Sequence, residues 1–316
     1  MAYRMKSKEN PQKAVQRIAR EQIDRAIDDI RDEQIDDHQT VHEVRKRCKK
    51  IRGLIRLVRP QLGDAYDLEN AWYRDSARSL SYVRDAQSLI ETYDEVMARF
   101  GSQARRRTFA SIRRQLTLRR KKVTEDEVGL RERLEAFLER MYEGRERVSA
   151  WRLREKGFDA IEDGLTKTYR RGRDAMEAAY EDPTSERFHE WRKRAKYHWY
   201  HLRLLESVWK GSMAARRDEA DQLADYLGDD HDLAILRDTL AENPADFGGE
   251  ETVQSMIGLA NQRQVELRLK ARWLGARLYT EKPKNFANRI AAYWGAWRSE
   301  KRTDARSAHQ PELVSP

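Results

Sequence analysis

The chain holds one cysteine, seven prolines and fifteen glycines among 316 residues, and no long apolar run. Each scarcity removes a class of structure. A lone cysteine, Cys48, admits no intramolecular disulfide, which fits a reducing cytosol. On the apolar side of its helix it reads as a small buried hydrophobe and not as a nucleophile. No stretch of about 18 apolar residues occurs, so no membrane-spanning helix is expected, and the opening MAYRMKSKEN does not read as a secretory signal. A cytoplasmic location is the resulting expectation. So few helix breakers, with little β-branched alternation, indicate an all-α chain.

Charge, in contrast, is abundant. Charged residues make up 37% of the chain, against a typical ~25%, while 39% is apolar and 9% aromatic, enough for packed helices instead of a disordered polymer. Lys and Arg number 63 against 54 Asp and Glu, for a net charge of +9 and a pI near 9.5. That excess points to an acidic partner. The length suits two modest domains.

The segment Val41 to Leu57, VHEVRKRCKKIRGLIRL, returns as FHEWRKRAKYHWYHLRL from Phe188 to Leu204. The pairs His42/His189, Glu43/Glu190, Arg45/Arg192, Lys46/Lys193, Arg47/Arg194 and Lys49/Lys196 are identical and lie 147 positions apart. LSYVRDAQSL from Leu80 matches LGDDHDLAIL from Leu227 at the same offset. Two ungapped matches at one spacing indicate a tandem duplication.

At about 100° per residue, His42, Arg45, Lys46, Lys49 and Arg56 fall on one side of the first helix, opposite Val44, Cys48, Ile51, Ile55 and Val58. The second copy sets His189, Arg192, Lys193, Lys196 and Arg203 opposite Trp191, Ala195, His198 and Leu202. A charge run is ordinarily a solvated face, but such faces mix Glu with Lys at i,i+4 spacing. These basic sides carry no acid of their own, and stacked cations repel unless an anion joins them. Tyr200 lies on the second basic side with Trp199 at its margin. Tyr169, Arg170 and Arg173 in YRRGRDAMEAAY are the next candidates, and Arg52, Arg78, Arg84, Arg119, Arg120 and Arg263 are outlying ones. Leu54, Ile55, Leu202, Leu205, Trp294 and Trp297 are expected in the core.

Helices are expected at about 10–33, through the basic segment to Arg59-Pro60, at 68–100, 102–122, 125–142 and 158–180, through the second basic segment to Gly211, at 213–241 and 251–279, and after Pro283. The tail, 301–316, is expected to be disordered.

The paired H-E-x-R-K-R-x-K blocks carry a family resemblance. With Arg84-Asp85, YRRGRDA from Tyr169, LGDDHDLAIL and EKPKNFANRIAAYWGAWR, the chain resembles the CHAD family, the conserved histidine α-helical domains, over about residues 10 to 300. The resemblance implies two tandem four-helix bundles, residues 1–147 and 148–300, related by a pseudo-twofold axis. It implies that the basic helices face each other across a central cationic cavity that binds inorganic polyphosphate, with association to polyphosphate granules, no catalysis and no cofactor. Relatives are often joined to a triphosphate-tunnel domain, whose strand pattern this chain lacks. A polyphosphate- or triphosphate-processing enzyme is therefore expected as a separate partner.

Polyphosphate has dense charge and no bases, so it asks for a continuous row of donors. Positions i, i+3, i+4 and i+7 on facing helices supply one, arginine as a planar fork and lysine as a point charge. His42 and His189 can donate whether charged or neutral, and neighbouring cations should hold them neutral until phosphate arrives, so that binding takes up protons. The matched Asp85 and Asp232 read as orienting groups more than as acid/base catalysts. Nucleic acid is the stronger rival ligand, although single-strand readers interleave aromatics and the first stripe has none. A metal-dependent phosphohydrolase using His38, His42, Asp229, Asp230 and Asp232 is the weaker one. Neither His-Glu pair extends to H-E-x-x-H, and adjacent cations would repel a divalent metal.

Overall fold

The computed structural model describes residues 3–101, 107–124 and 127–307, with side chains described except at 82–85, 123–124, 127–128 and 301–307. Those residues form an all-α fold with no strand among them. In chain order the helices are α1 (Pro11–Arg31), α2 (Asp37–Leu57), α3 (Arg59–Leu62), α4 (Ala65–Arg78), α5 (Ser81–Phe100), α6 (Ala110–Thr124), α7 (Glu127–Val148), α8 (Asp159–Glu181), α9 (Ser185–Leu204), α10 (Lys210–Glu242), α11 (Glu250–Leu278) and α12 (Pro283–Ser307).

The two basic segments are α2 and α9, and local chemistry fixes where each begins. Asp36 caps α2 by accepting from the backbone N–H groups of His38 and Gln39 at 3.0 Å each. Thr184 caps α9 by accepting from Arg187 N–H at 3.2 Å. Such caps satisfy donors that the first turn leaves orphaned. The expected apolar sides are buried: Val44, Cys48, Ile51, Ile55 and Val58 on α2, and Trp191, Ala195, His198 and Leu202 on α9. Cys48 is part of this core, and burial pushes its thiol up to about 12, so it is no nucleophile at neutral pH.

Burial also places Leu54, Ile55, Leu202, Leu205, Trp294 and Trp297 in the core. Two cores exist. The larger draws on α1, α2, α4, α7, α8, α9, α12, the first half of α10 and the end of α11. The smaller joins Ile90, Tyr93 and Met97 of α5, Phe109 and α6, Leu233, Leu236 and Leu240 of α10, and Met256 and Leu267 of α11.

Several boundaries differ from expectation: α6 starts at Ala110 within the expected 102–122, and α7 runs to Val148 beyond the expected 142. Three others differ as well. The helix expected over 68–100 is two helices, α4 and α5, separated at Ser79 and Leu80. Ser76 Oγ donates to Trp72 O at 2.8 Å and Ser79 Oγ to Ser76 O at 2.9 Å, and such back-bonding competes with the helical ladder. At the matching positions of the other copy stand Leu223 and Tyr226, and α10 runs through unbroken. Second, α9 ends at Leu204 and Gly211 lies inside α10. Third, α12 continues to Ser307, beyond the expected start of the tail, while residues 308–316 lie outside the described residues.

The crossing of α2 on α9 positions everything that follows. Gly53 lets the helices meet: a Cβ there would stand 2.9 Å from Tyr200 Cβ and Cγ. Gly53 and Tyr200 are themselves 147 positions apart, so each touches its own counterpart in the other copy. His201 Nε2 lies 3.1 Å from Gly53 O and closes the contact. Gly164 on α8 approaches the end of α2 more closely still, its absent Cβ falling 1.9 Å from Leu57 O.

Gly53→Ala should destabilise by about 1–3 kcal/mol, the usual cost of overpacking. Gly164→Ala should cost more, because the obstacle there is backbone. Chemical denaturation of both variants checks the order; equal and negligible losses would show that neither approach is tight.

Burial lowers the His201 imidazole from 6.5 to about 3. Above pH 6.5 both folded and unfolded chains carry it neutral. As pH falls below that value only the unfolded chain takes up the proton, so His201 erodes stability between about 6.5 and 3. Half-buried Asp229, raised to about 6 by burial first, acts in the opposite sense. The test is therefore differential: His201→Gln should lose less stability than wild type between pH 7 and 4, and parallel curves would refute the assignment.

Candidate functional site

From α2, His42, Arg45, Lys46, Lys49 and Lys50 reach one cleft of about 630 Å³; Arg192, Lys196, Trp199 and Tyr200 reach it from α9. Ser81, Ser88, Leu89 and Thr92 of α5 and His231, Asp232 and Ile235 of α10 complete its walls. Among the described residues, six Lys or Arg side chains thus line the cleft with one carboxylate, Asp232.

The cations are held in place by groups the stripes do not contain. Arg45 Nη1 donates to Ala77 O at 2.8 Å. That carbonyl lies in the last turn of α4, where the break before α5 leaves acceptors unused and the helix end favours a cation. Lys46 Nζ pairs with Glu43 at 3.0 Å, and Arg47 with Asp29 at 3.1 Å and Glu43 at 3.2 Å. Glu190 pairs with Lys193 and with Arg194. Lys196 Nζ pairs with Asp221 at 3.3 Å and lies 4.0 Å from the Trp199 ring centroid. The stripes themselves carry no acid, as expected, but acids from outside them reach their lysines. Glu43 and Glu190 stand one turn back from Lys46 and Lys193 and lean across, and Asp221 comes from α10.

Arg192 is differently placed. Its Nε is buried without a hydrogen-bond partner among the described residues, an arrangement that normally costs about 1–3 kcal/mol unless something fills it. Lys50 is the other poised cation, being only 6% exposed. Burial first, and then the neighbouring Arg47, Arg203 and Lys46 charges, bring its ammonium down from 10.5 to about 8.

The histidines divide. His42 is exposed at the cleft. His189 instead packs on His231, with Nδ1 atoms 3.1 Å apart and ring centroids 4.0 Å apart. One nitrogen must donate and the other accept, so at least the accepting ring is neutral. Burial, then the adjacent cations, lowers His189, and burial followed by His189 lowers His231 to about 3.

Other sequence candidates lie elsewhere. Tyr169 is fully buried, stacked on Phe286 at 4.4 Å with its hydroxyl donating to Leu278 O at 3.0 Å. It is a core residue: its ring points into the larger core while Arg170, beside it, faces solvent. Arg173 pairs with Glu177 at 3.2 Å. Arg56 is turned away from the cleft, donating to Asn70 Oδ1 at 2.6 Å and stacking 3.9 Å over Tyr197. Arg52 also donates to Asn70, at 3.2 Å. Arg203 lies 4.9 Å over Trp199 at the margin. Arg78 is exposed at the end of α4. Arg119 stacks on Phe247 at 4.6 Å, Arg120 donates to Gln87 at 3.2 Å, and Arg263 pairs with Glu266 at 3.0 Å. The Arg84 and Asp85 side chains are outside the described residues.

His231 and Lys50 were not among the sequence candidates, and Trp199, placed only at the margin of the second basic side, lines the cleft. His231 could have been found from the duplication, because it occupies the place of Arg84. Lys50 straddles the basic and apolar sides, and only the tertiary contact resolves which it joins.

The CHAD domain model matches residues 14–241, most of the chain, and the protein belongs to the CHAD domain family. No curated protein matches. CHAD domains are non-catalytic binding modules. Among the described residues no cluster of three or more His, Cys, Asp or Glu could hold a metal ion, and no helix is long and apolar enough to cross a membrane.

Lys50 generates a measurable prediction. At pH 8 it is about half protonated, and an anion in the cleft favours the charged form, so binding takes up protons. Calorimetry with tripolyphosphate at pH 8, in buffers of different ionisation enthalpy, should show uptake that Lys50→Met removes. Identical uptake in the variant would assign the proton to another group.

Proposed function

We propose that the chain binds inorganic polyphosphate in the cleft between α2 and α9, as a cytoplasmic module and not as an enzyme. The observation that carries this reading is convergence: Arg45 with Arg192, and Lys49 with Lys196, come from matched positions of the two copies and line the same cleft. A homopolymer of phosphates suits a site built by repetition, since successive units present the same chemistry to successive cations. The Gly53–Tyr200 contact supports a pseudo-twofold axis at the crossing, and with it the tandem organisation of residues 1–147 and 148–300. His42, Arg45, Lys46, Lys49, Arg192, Lys196 and Tyr200 are the contacts we assign, joined by Lys50 and His231. A role at polyphosphate granules and a separate polyphosphate-processing enzyme as partner belong to the same proposal.

Nucleic acid shares the phosphate chemistry, but its binders offer open aromatic faces for bases. Here the Trp199 ring is already engaged by Lys196 at 4.0 Å and Arg203 at 4.9 Å, and Tyr200 is buried.

The test is a titration with long-chain polyphosphate at several salt concentrations, with RNA of equal phosphate content as competitor. Affinity should fall linearly with salt on logarithmic axes as counterions are displaced. Arg45→Ala/Arg192→Ala should weaken binding about a hundredfold or more, at about 1.5–3 kcal/mol per charged hydrogen bond lost. Equal competition by RNA, or unchanged affinity in a folded double variant, would overturn the assignment.

A further inference from the structure

A second basic pocket lies beyond the α2/α9 crossing, where α8 meets the end of α2. Arg56, Arg59, Lys167, Arg171 and Arg194 line it together with the rings of Tyr66 and Tyr197. It is narrow, with room of about 20 Å³ against about 630 Å³ in the cleft, so it admits one small group and not a chain.

The charge here is poorly compensated. Arg194 has Glu190, and Arg56 is held by Asn70. Arg59 stacks 4.4 Å over Tyr66, and among the described residues neither Lys167 nor Arg171 forms an ion pair. The strain registers on the side chains: the nearby Arg59 charge, ahead of burial, lowers the Lys167 ammonium, and burial followed by Arg194 lowers Arg171. The carboxyl end of α2, which Gly164 brings against α8 at Leu57 O, contributes only about half a negative charge. Glu190, beside Arg194 and Arg171, and Asp67, near Lys167, add two carboxylates, and five cations still outnumber them.

The pocket also has no twin. The positions 147 away are Arg203, Glu206, Arg20, Asp24 and Arg47, two of them acids. There Glu206 pairs with Arg217, Asp24 with Arg145, and Arg47 with Asp29 and Glu43. Duplication therefore does not account for the cluster, whereas it does account for the cleft.

We propose that this pocket is a second anion site, specific for a single phosphate group and independent of the cleft. The guanidinium groups of Arg59 and Arg171 supply fork donors, Lys167 a mobile point charge, and the two tyrosine rings limit access to one tetrahedral oxyanion. Free orthophosphate and the terminal group of a phosphate chain share that chemistry. The inference stands whether or not the cleft binds polyphosphate.

Isothermal titration with orthophosphate at constant ionic strength, set by chloride, tests it on three proteins. Wild type and the cleft variant Arg45→Ala/Arg192→Ala should each bind one equivalent. Lys167→Ala/Arg171→Ala, two exposed positions whose loss leaves the core intact, should bind at least about tenfold more weakly. Tripolyphosphate and cyclic trimetaphosphate, titrated into the cleft variant, separate the two sources. Orthophosphate binding supports the free ion. If orthophosphate does not bind, binding of tripolyphosphate that is sensitive to adding Lys167→Ala/Arg171→Ala, with no such binding of the cyclic compound, supports a chain terminus. The proposal falls if neither orthophosphate nor tripolyphosphate shows an effect of Lys167→Ala/Arg171→Ala, or if the cleft variant abolishes orthophosphate binding while the pocket variant keeps it.

Discussion

Two helices of like charge are packed against each other, and the fold is arranged around making that tolerable. Unit charges about 7 Å apart repel by roughly 2 kcal/mol at an effective dielectric near 20, and α2 and α9 bring six cations to one cleft. Opposing this, each fully buried large apolar side chain contributes about 1.5–3 kcal/mol. Ile51, Leu54, Ile55, Trp191 and Leu202 all lie on the far sides of the two helices. The glycine at the crossing lets the backbones come close enough for those side chains to share one core. Binding capacity is thus a by-product of packing: the hydrophobic side holds the cations in a geometry that they would leave if free.

Much of this was legible in the chain. Helical period separated the buried from the basic side of α2 and α9, because burial acts on one face of one helix and leaves its mark at local spacing. Cys48 and His198 fell on the apolar side and are buried there. The duplication told which residues are equivalent, and Arg45 with Arg192 and Lys49 with Lys196 do meet at one cleft.

What stayed hidden depends on contacts between elements. Arg56 lies on the same helical side as Lys49 by projection, but two turns of α2 carry it past the crossing to the other pocket. Tyr169 sits next to two arginines in sequence, yet adjacent helical positions are about 100° apart, and the ring turns inward while Arg170 turns out. The acids that restrain the lysines are partly local and partly from α10, and only the local ones could be read. The interruption between α4 and α5 has no proline or glycine to announce it; two serine hydroxyls bonded back to carbonyls accompany it.

That interruption has a mechanical consequence. α10 spans 33 residues, about 50 Å at the usual rise, and it contributes Leu223 and Leu227 to the larger core and Leu236 and Leu240 to the smaller. It acts as a beam fixed at both ends. Its counterpart is interrupted, so α5 packs in the smaller core while α4 packs in the larger. One wall of the cleft, supplied by α5, is therefore anchored in a different core from the α2 and α9 walls, and α10 alone of the lining helices is rooted in both.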